Sequence, residues 1–205
     1  MIVEKIEPIN TKRRKISLDN GLVFALYNGE INRFKIEEGK ELLEDSYYEI
    51  LQTILIKRAK ERLAYLIKDG DYTEFQIQKK LKQGLYPEEA IEEALQFGRD
   101  YHYLDDWRYA QTFAEQKAGT MSRKLILMKL LEKGISKDMA DRALSCLEDK
   151  EDSALERLIR KKNIDFSTIT WKEKQKICAY FMRKGFAYED ILKKINDIES
   201  TEHLT

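Results

Sequence analysis

Three stretches, Ile77-Gln-Lys-Lys-Leu-Lys-Gln-Gly84-Leu85, Leu127-Met-Lys-Leu-Leu-Glu-Lys-Gly134-Ile135 and Cys178-Ala-Tyr-Phe-Met-Arg-Lys-Gly185-Phe186, carry one pattern three times. Each sets an apolar residue seven places before the glycine, another three before it and a third just after. Six places past the glycines stand Ala90, Ala140 and Ile191, and ten past stand Ala94, Leu144 and Ile195. That is the apolar stripe of one helix, a glycine turn and the stripe of a second. The glycines are 50 and 51 residues apart, which leaves room for a third helix per repeat at Tyr47 to Ile67, Asp106 to Lys117 and Asp152 to Lys162. Such units bury their apolar faces partly against neighbours. The expected fold is mainly α: three tandem three-helix repeats forming an elongated, curved array on the order of 60 Å long.

Helix punctuation around the repeats agrees. Ser46 with Glu49, Thr73 with Gln76 and Thr170 with Glu173 fit the capping box, in which a hydroxyl and an acid or amide satisfy free amides at a helix start. Pro87 followed by Glu88 and Glu89 opens another helix, and Asp105 and Ser136 are further N-cap candidates. Gly70, Gly84, Gly98, Gly119, Gly134 and Gly185 fall where apolar periodicity breaks, as residues suited to left-handed C-terminal caps. About nine helices are expected on this reading.

The first forty residues read differently. Lys15 to Leu18, then Asp19-Asn20-Gly21, then Leu22 to Tyr27 predicts strand, tight turn and strand. Asn28-Gly29 offers a second turn before Ile31 to Ile36, giving a β-hairpin or three-stranded meander packed on the first helix. The segments are therefore 1–45 for this extension, then 46–100, 101–150 and 151–205 for the repeats.

Composition fits a helical, non-secreted chain. The 205 residues are 42% hydrophobic with two prolines and nine glycines, enough to bury a core and sparse in strand-and-turn residues. Lys plus Arg and Asp plus Glu both total 37, so no global field draws the protein to polyanions, and any DNA contact must use a local patch. The N-terminus lacks an apolar signal core, and no run approaches the roughly 18 apolar residues of a membrane helix, so a cytoplasmic protein is expected. Cys146 and Cys178 are far apart and outside any CxxC pair, which fits buried free thiols in a reducing compartment.

Catalytic readings find little support. Asp105-Asp106 resembles an acid pair, but adjacent acids at a helix start are mostly caps and dipole partners. His102 and His203 stand at no ligand spacing from a cysteine or each other, so neither a metal nor a cofactor is expected. There is no Gly-rich phosphate loop with lysine, GxSxG elbow or Cys-His pair. Tyr109, Ala110 and Phe113 at helical spacing read as core, while Trp107 beside them is a candidate partner anchor. Short basic clusters at Lys12 to Lys15, Lys79-Lys80, Arg123-Lys124 and Arg160 to Lys162 are candidates for phosphate or acidic partners. The residues singled out for partner or DNA contact are Arg13, Arg14, Trp107, Arg108, Arg123, Lys124, Arg160 and Lys161.

The second repeat is the most specific. Leu104-Asp-Asp-Trp-Arg-Tyr-Ala-Gln-Thr-Phe113, then Gly119, then Leu125 to Ile135 resembles the core of the RecX family. That family's pattern pairs an Asp, an aromatic-Ala and a second aromatic with a leucine helix ending in a basic residue, glycine and an aliphatic. Here those places hold Asp106, Tyr109-Ala110, Phe113, Leu130 or Leu131, Lys133, Gly134 and Ile135. The resemblance covers nearly the whole chain, with Gln83 in the basic slot of the first repeat, a longer loop at Asn163 to Thr170, and Gln116-Lys117 where the family often has arginine. It implies a monomeric, non-enzymatic regulator that binds the RecA recombinase filament on single-stranded DNA, limiting filament growth, ATP hydrolysis and strand exchange. Two other classes fit the residues: a helical-repeat protein acting directly on nucleic acid, and a general interaction scaffold. Acids in Glu88 to Ala94 and Lys137 to Leu147 argue against a sequence-reading helix-turn-helix.

Overall fold

A computed structural model describes residues 1–147, 151–162 and 169–202. The chain divides into two compact units, Met1–Asp105 and Asp106–Thr205. The first opens with strands β1 (Val3–Pro8), β2 (Arg13–Leu18) and β3 (Val23–Tyr27), antiparallel in that order. Gly21 turns between β2 and β3 at φ +84°, as Asn20-Gly21 predicted. The third strand is not the expected 31–36 but the N-terminal segment itself. Residues Asn28–Arg33 form helix α1, because the Glu30 carboxylate accepts from the Tyr27 N–H at 2.7 Å and closes the first turn.

Helix α2 (Glu44–Ile50) runs through a π-helical turn (Leu51–Leu55) into α3 (Ile56–Ile67), followed by α4 (Glu74–Gln83) and α5 (Glu88–Asp100). The helix expected from Ser46 starts earlier, and Ser46 lies inside α2 rather than capping it. Ile2 bridges Glu41 and the Leu42 N–H donates to the Met1 carbonyl at 2.8 Å, so the chain is pinned up to the residue before Leu43. The Thr73–Gln76 capping box is present, with both reciprocal bonds formed at 3.2 and 3.1 Å. Alternation along β2 and β3 sends Ile16, Leu18, Phe24 and Leu26 into one core with Ile50, Leu55, Leu63, Ile77, Leu81 and Ile91. The sheet therefore shares its interior with the first three-helix repeat.

The second unit holds α6 (Asp106–Ala118), α7 (Arg123–Glu132), α8 (Lys137–Ser145), α9 (Glu151–Arg160), α10 (Trp171–Arg183) and α11 (Tyr188–Glu202). Eleven α-helical segments are thus present among the described residues, two more than expected. One core joins Ala110, Ala114, Ile126, Leu130, Ile135 and Leu144. A second joins Leu155, Ile159, Cys178, Phe181, Phe186, Ile191 and Ile195. Ser136 and Thr170 cap α8 and α10 as expected. Most of the expected long loop, residues 163–168, and His203 lie outside the described residues.

The repeat is real, but its frame is not set by glycine. Each first helix ends in a Schellman motif: Tyr86 donates to the Leu81 carbonyl at 3.3 Å, Ile135 to Leu130 at 3.1 Å and Phe186 to Phe181 at 3.3 Å. The left-handed residue is Gly134 (φ +84°) in the second repeat and Gly185 (φ +88°) in the third, but Leu85 (φ +61°) in the first. Gly84 has an ordinary φ of −78°. The first repeat is consequently shifted by one, and its counterparts of Ile135, Ala140 and Leu144 are Tyr86, Ile91 and Leu95. Leu131 and Met182, expected on the apolar stripe, are 42% and 51% exposed, while Leu130 and Phe181 are fully buried. Gly98 and Gly119 are not left-handed caps either. Gly98 sits buried in α5, where an added Cβ would stand 2.7 Å from Leu104, and His102 takes the left-handed place after that helix.

Candidate functional site

A cleft of about 620 Å³ opens in the first unit between the sheet and α3 and α4, lined by Arg13, Tyr27, Arg58, Glu61, Arg62, Lys80 and Tyr86 among others. Its cations come from three elements. Arg13 projects from β2, Arg58 and Arg62 stand one turn apart on α3, and Lys80 comes from the last turn of α4. Arg13 is held by a bond from Nη2 to the Gly84 carbonyl at 3.1 Å. Arg58 pairs with Glu30, and both guanidinium groups lie against the Tyr27 ring, at 4.6 Å for Arg58 and 5.9 Å for Arg13. Arg13 Nε and Arg58 Nη1 are buried and have no hydrogen-bond partner among the described residues. Burial pushes the Tyr86 hydroxyl above the usual tyrosine range, and the charges of Arg13, Arg58 and Arg62 oppose that rise. The arrangement is a pre-positioned cluster of positive charge able to bind anions.

Of the residues singled out by sequence, Lys80 of the Lys79-Lys80 cluster lines this cleft, and so does Arg13. Arg14, its neighbour on the strand, points to the opposite face and bonds Asn28 Oδ1 from Nε at 3.2 Å. Trp107 is half-buried, packs against the core of the second repeat and carries the Arg142 guanidinium 4.7 Å from its ring. Arg108 and Lys124 are exposed on α6 and α7. Arg123 is engaged internally, donating from Nη2 to the Leu147 carbonyl at 2.8 Å. Arg160 pairs with Glu156 of its own helix at 3.0 Å, and Lys161 is exposed just beyond. Arg58 and Arg62 were absent from the basic clusters named above, although Lys57-Arg58, Lys60 and Arg62 put four cations within six residues. A further signal was the four-residue spacing of Arg58 and Arg62 on an amphipathic helix.

The aromatic stripe of the second repeat is partly core. Ala110 and Ala114 are buried, while Tyr109 and Phe113 are half-buried, stacked 6.1 Å apart, with Lys133 Nζ 5.7 and 5.5 Å from their rings. The two aromatics and the lysine before glycine thus meet in space. Cys178 is buried, which pushes its thiol up, but Cys146 ends α8 and is exposed, against the expectation of two buried thiols. Among the described residues no group of His, Cys, Asp and Glu is placed to hold a metal ion, and no helix is long and apolar enough to cross a membrane.

Residues 105–144 match the family model described as the second three-helix domain of RecX, and 149–195 match that of the third. The chain is 33% identical to the regulatory protein RecX of Caldanaerobacter subterraneus subsp. tengcongensis over 96% of its own length and 98% of that protein's. It is 25% identical to the regulatory protein RecX of Clostridium tetani over 95% and 92%. Two solved structures share the fold: a regulatory protein RecX, with a TM-score of 0.56 at 24% identity over 95% and 98% of the two chains, and RecX from Lactobacillus salivarius, with 0.58 at 23% over 70% and 96%. Kinship over nearly the full length, together with two matched three-helix domains in the place where the motif residues pack on one another, makes the chain a member of the RecX family of regulatory proteins.

Proposed function

We propose that this protein binds the RecA recombinase filament on single-stranded DNA and restrains its extension, ATP hydrolysis and strand exchange in recombination and the SOS response. The observation that carries the reading is the near-complete coverage of proteins named regulatory protein RecX. It acts as a cytoplasmic monomer without enzymatic chemistry. A series of rigid helical units can occupy a filament groove and exclude what would otherwise sit there, with no catalytic centre.

The chain works as an extension at 1–45 and repeats at 46–100, 101–150 and 151–205. Trp107 serves as the aromatic anchor, and Arg13, Arg14, Arg108, Arg123, Lys124, Arg160 and Lys161 supply charge toward the filament. Rim charges of this kind act mainly on association rate and salt dependence. The test is RecA ATP hydrolysis on single-stranded DNA with increasing amounts of the protein. Suppression at amounts below those that coat naked DNA is the expected result; unchanged hydrolysis at saturating protein would overturn the reading.

A further inference from the structure

We propose that the cleft between the N-terminal sheet and α3 and α4 is a binding groove for the phosphodiester backbone of single-stranded nucleic acid, with Arg13, Arg58, Arg62 and Lys80 facing the phosphates. This is a direct contact with the strand, made by residues of the first unit, and it stands independently of the filament reading. Four cations meet there against two carboxylates, Glu61 in the lining and Glu30 behind Arg58. In a chain whose formal charge is zero, that local excess is the feature a polyanion needs.

The groove is also pre-organised. Arg13 is fixed by the Gly84 carbonyl and Arg58 by Glu30, and both lie against Tyr27, so little side-chain freedom remains to be lost on binding. Each also keeps one buried guanidinium nitrogen without a hydrogen-bond partner among the described residues, so the charge of the two groups is only partly compensated within the protein. Arg62 and Lys80 form no ion pair among the described residues; they rest against Tyr65 and Tyr72 at 5.3 Å each. Tyr27 is 41% exposed at the mouth, a ring face beside the phosphate-binding cations. Cationic grooves flanked by aromatic rings are how proteins hold single strands without reading sequence. An acidic protein segment would satisfy the cations but has less use for the tyrosine faces.

The experiment is fluorescence anisotropy of the full chain with a labelled oligothymidylate of about 20 nucleotides, longer than one such groove covers, titrated across a salt series. Arg62 is exposed and Lys80 half-buried at the cleft wall, so Arg62→Gln with Lys80→Gln leaves the core untouched, and an unchanged thermal melt confirms it. The double variant should bind roughly tenfold more weakly and lose about 1.4 from the slope of log affinity against log salt, at ~0.7 per phosphate contact on single strands. Glu61→Gln, which removes an acid from the lining, should bind more tightly. An affinity and slope unchanged in both variants would overturn the proposal. So would oligothymidylate binding that poly-L-glutamate displaces more effectively than unlabelled strand, which would assign the groove to an acidic protein; displacement only by high inorganic phosphate would assign it to the free ion. The groove is judged on this titration alone, so failure of RecA suppression leaves it standing.

Discussion

Arg13 of the N-terminal sheet donates from Nη2 to the carbonyl of Gly84, 3.1 Å away and 71 residues further along the chain. The bond ties the extension to the end of α4 at the place where the other two repeats carry Lys133 and Lys184. Those lysines lie over aromatic rings of their own repeats, Lys133 over Tyr109 and Lys184 over Tyr180. In the first repeat the cation comes instead from outside the helices, and the position itself shrinks to glycine.

Gly84 is small for a steric reason. A Cβ there would stand 2.8 Å from the Tyr86 ring and 3.2 Å from the Leu81 carbonyl. Gly84→Ala should therefore destabilise the first unit by about 1–3 kcal/mol, the range for forcing extra volume into a packed site. Both tryptophans, Trp107 and Trp171, belong to the second unit. In urea the variant's far-ultraviolet dichroism should lose structure earlier while the tryptophan fluorescence transition keeps its midpoint. Identical dichroism curves for the two proteins would refute the account.

Leu85 carries the opposite strain. It holds φ +61° where its counterparts are Gly134 and Gly185, and a left-handed L-residue costs roughly 1–2 kcal/mol. Leu85→Gly should stabilise the first unit by about 1 kcal/mol, part of the gain being offset by the half-buried leucine side chain that is lost. Gly185→Ala should do the reverse more severely, since its Cβ would meet Ser122 Oγ at 2.4 Å and Leu125 Cβ at 2.6 Å as well as adopting φ +88°. The check is the urea midpoint of each variant; a destabilised Leu85→Gly would show that side-chain packing outweighs backbone strain here.

These positions also mark what the sequence could reveal. The helix-turn-helix repeat, two of three capping boxes and the β2–β3 hairpin were legible because periodicity, hydroxyl-to-acid spacing and Asn20-Gly21 each have one local physical cause. The frame of the first repeat was not, because Gly84 stands beside the left-handed residue and imitates it; only Tyr86 and Leu81 closing the Schellman motif distinguish the two. Strand β1 was hidden because its partner in pairing lies across a turn with no Asn-Gly or Asp-Gly signature. The cleft was hidden for another reason: Arg13, Arg58, Arg62 and Lys80 are brought together by tertiary packing, and no window of the sequence contains them all.

Ser122 is buried at 1% exposure, and all its polar groups are engaged. Its Oγ donates to the Gly185 carbonyl at 2.8 Å and accepts from the Leu125 N–H at 3.2 Å, while its own N–H donates to the Lys184 carbonyl at 2.8 Å. One residue thus caps α7 and joins it to the turn after α10. Ser122→Ala removes the cap and leaves a carbonyl without its donor, which should cost about 2 kcal/mol. Trp107 on α6, packed against the same core as α7, reports the loss as a lower urea midpoint by fluorescence. An unchanged midpoint would mean that solvent replaces the hydroxyl at no cost.

Tyr47 gives the first unit an alkaline limit. Its ring packs 5.6 Å from Phe24, and its hydroxyl is buried without a hydrogen-bond partner among the described residues. Burial, with the nearby charge of Glu89 adding to it, pushes the group up to about 12. Because the folded state holds the proton more tightly than the unfolded state, this group's stabilising contribution is complete below pH ~10, the unfolded tyrosine value. It then falls as pH rises through the folded value, by a total of about 2–3 kcal/mol. Tyr47→Phe keeps the ring contact and has no proton to lose. Its dichroism-monitored urea midpoint should lie at or above the wild type's near neutral pH, because no unpartnered hydroxyl is left buried, and exceed it by more at pH ~11, between the two values. Parallel pH dependence in the two proteins would place the alkaline sensitivity elsewhere, with half-buried Tyr86, whose hydroxyl burial also raises, as the next residue to replace.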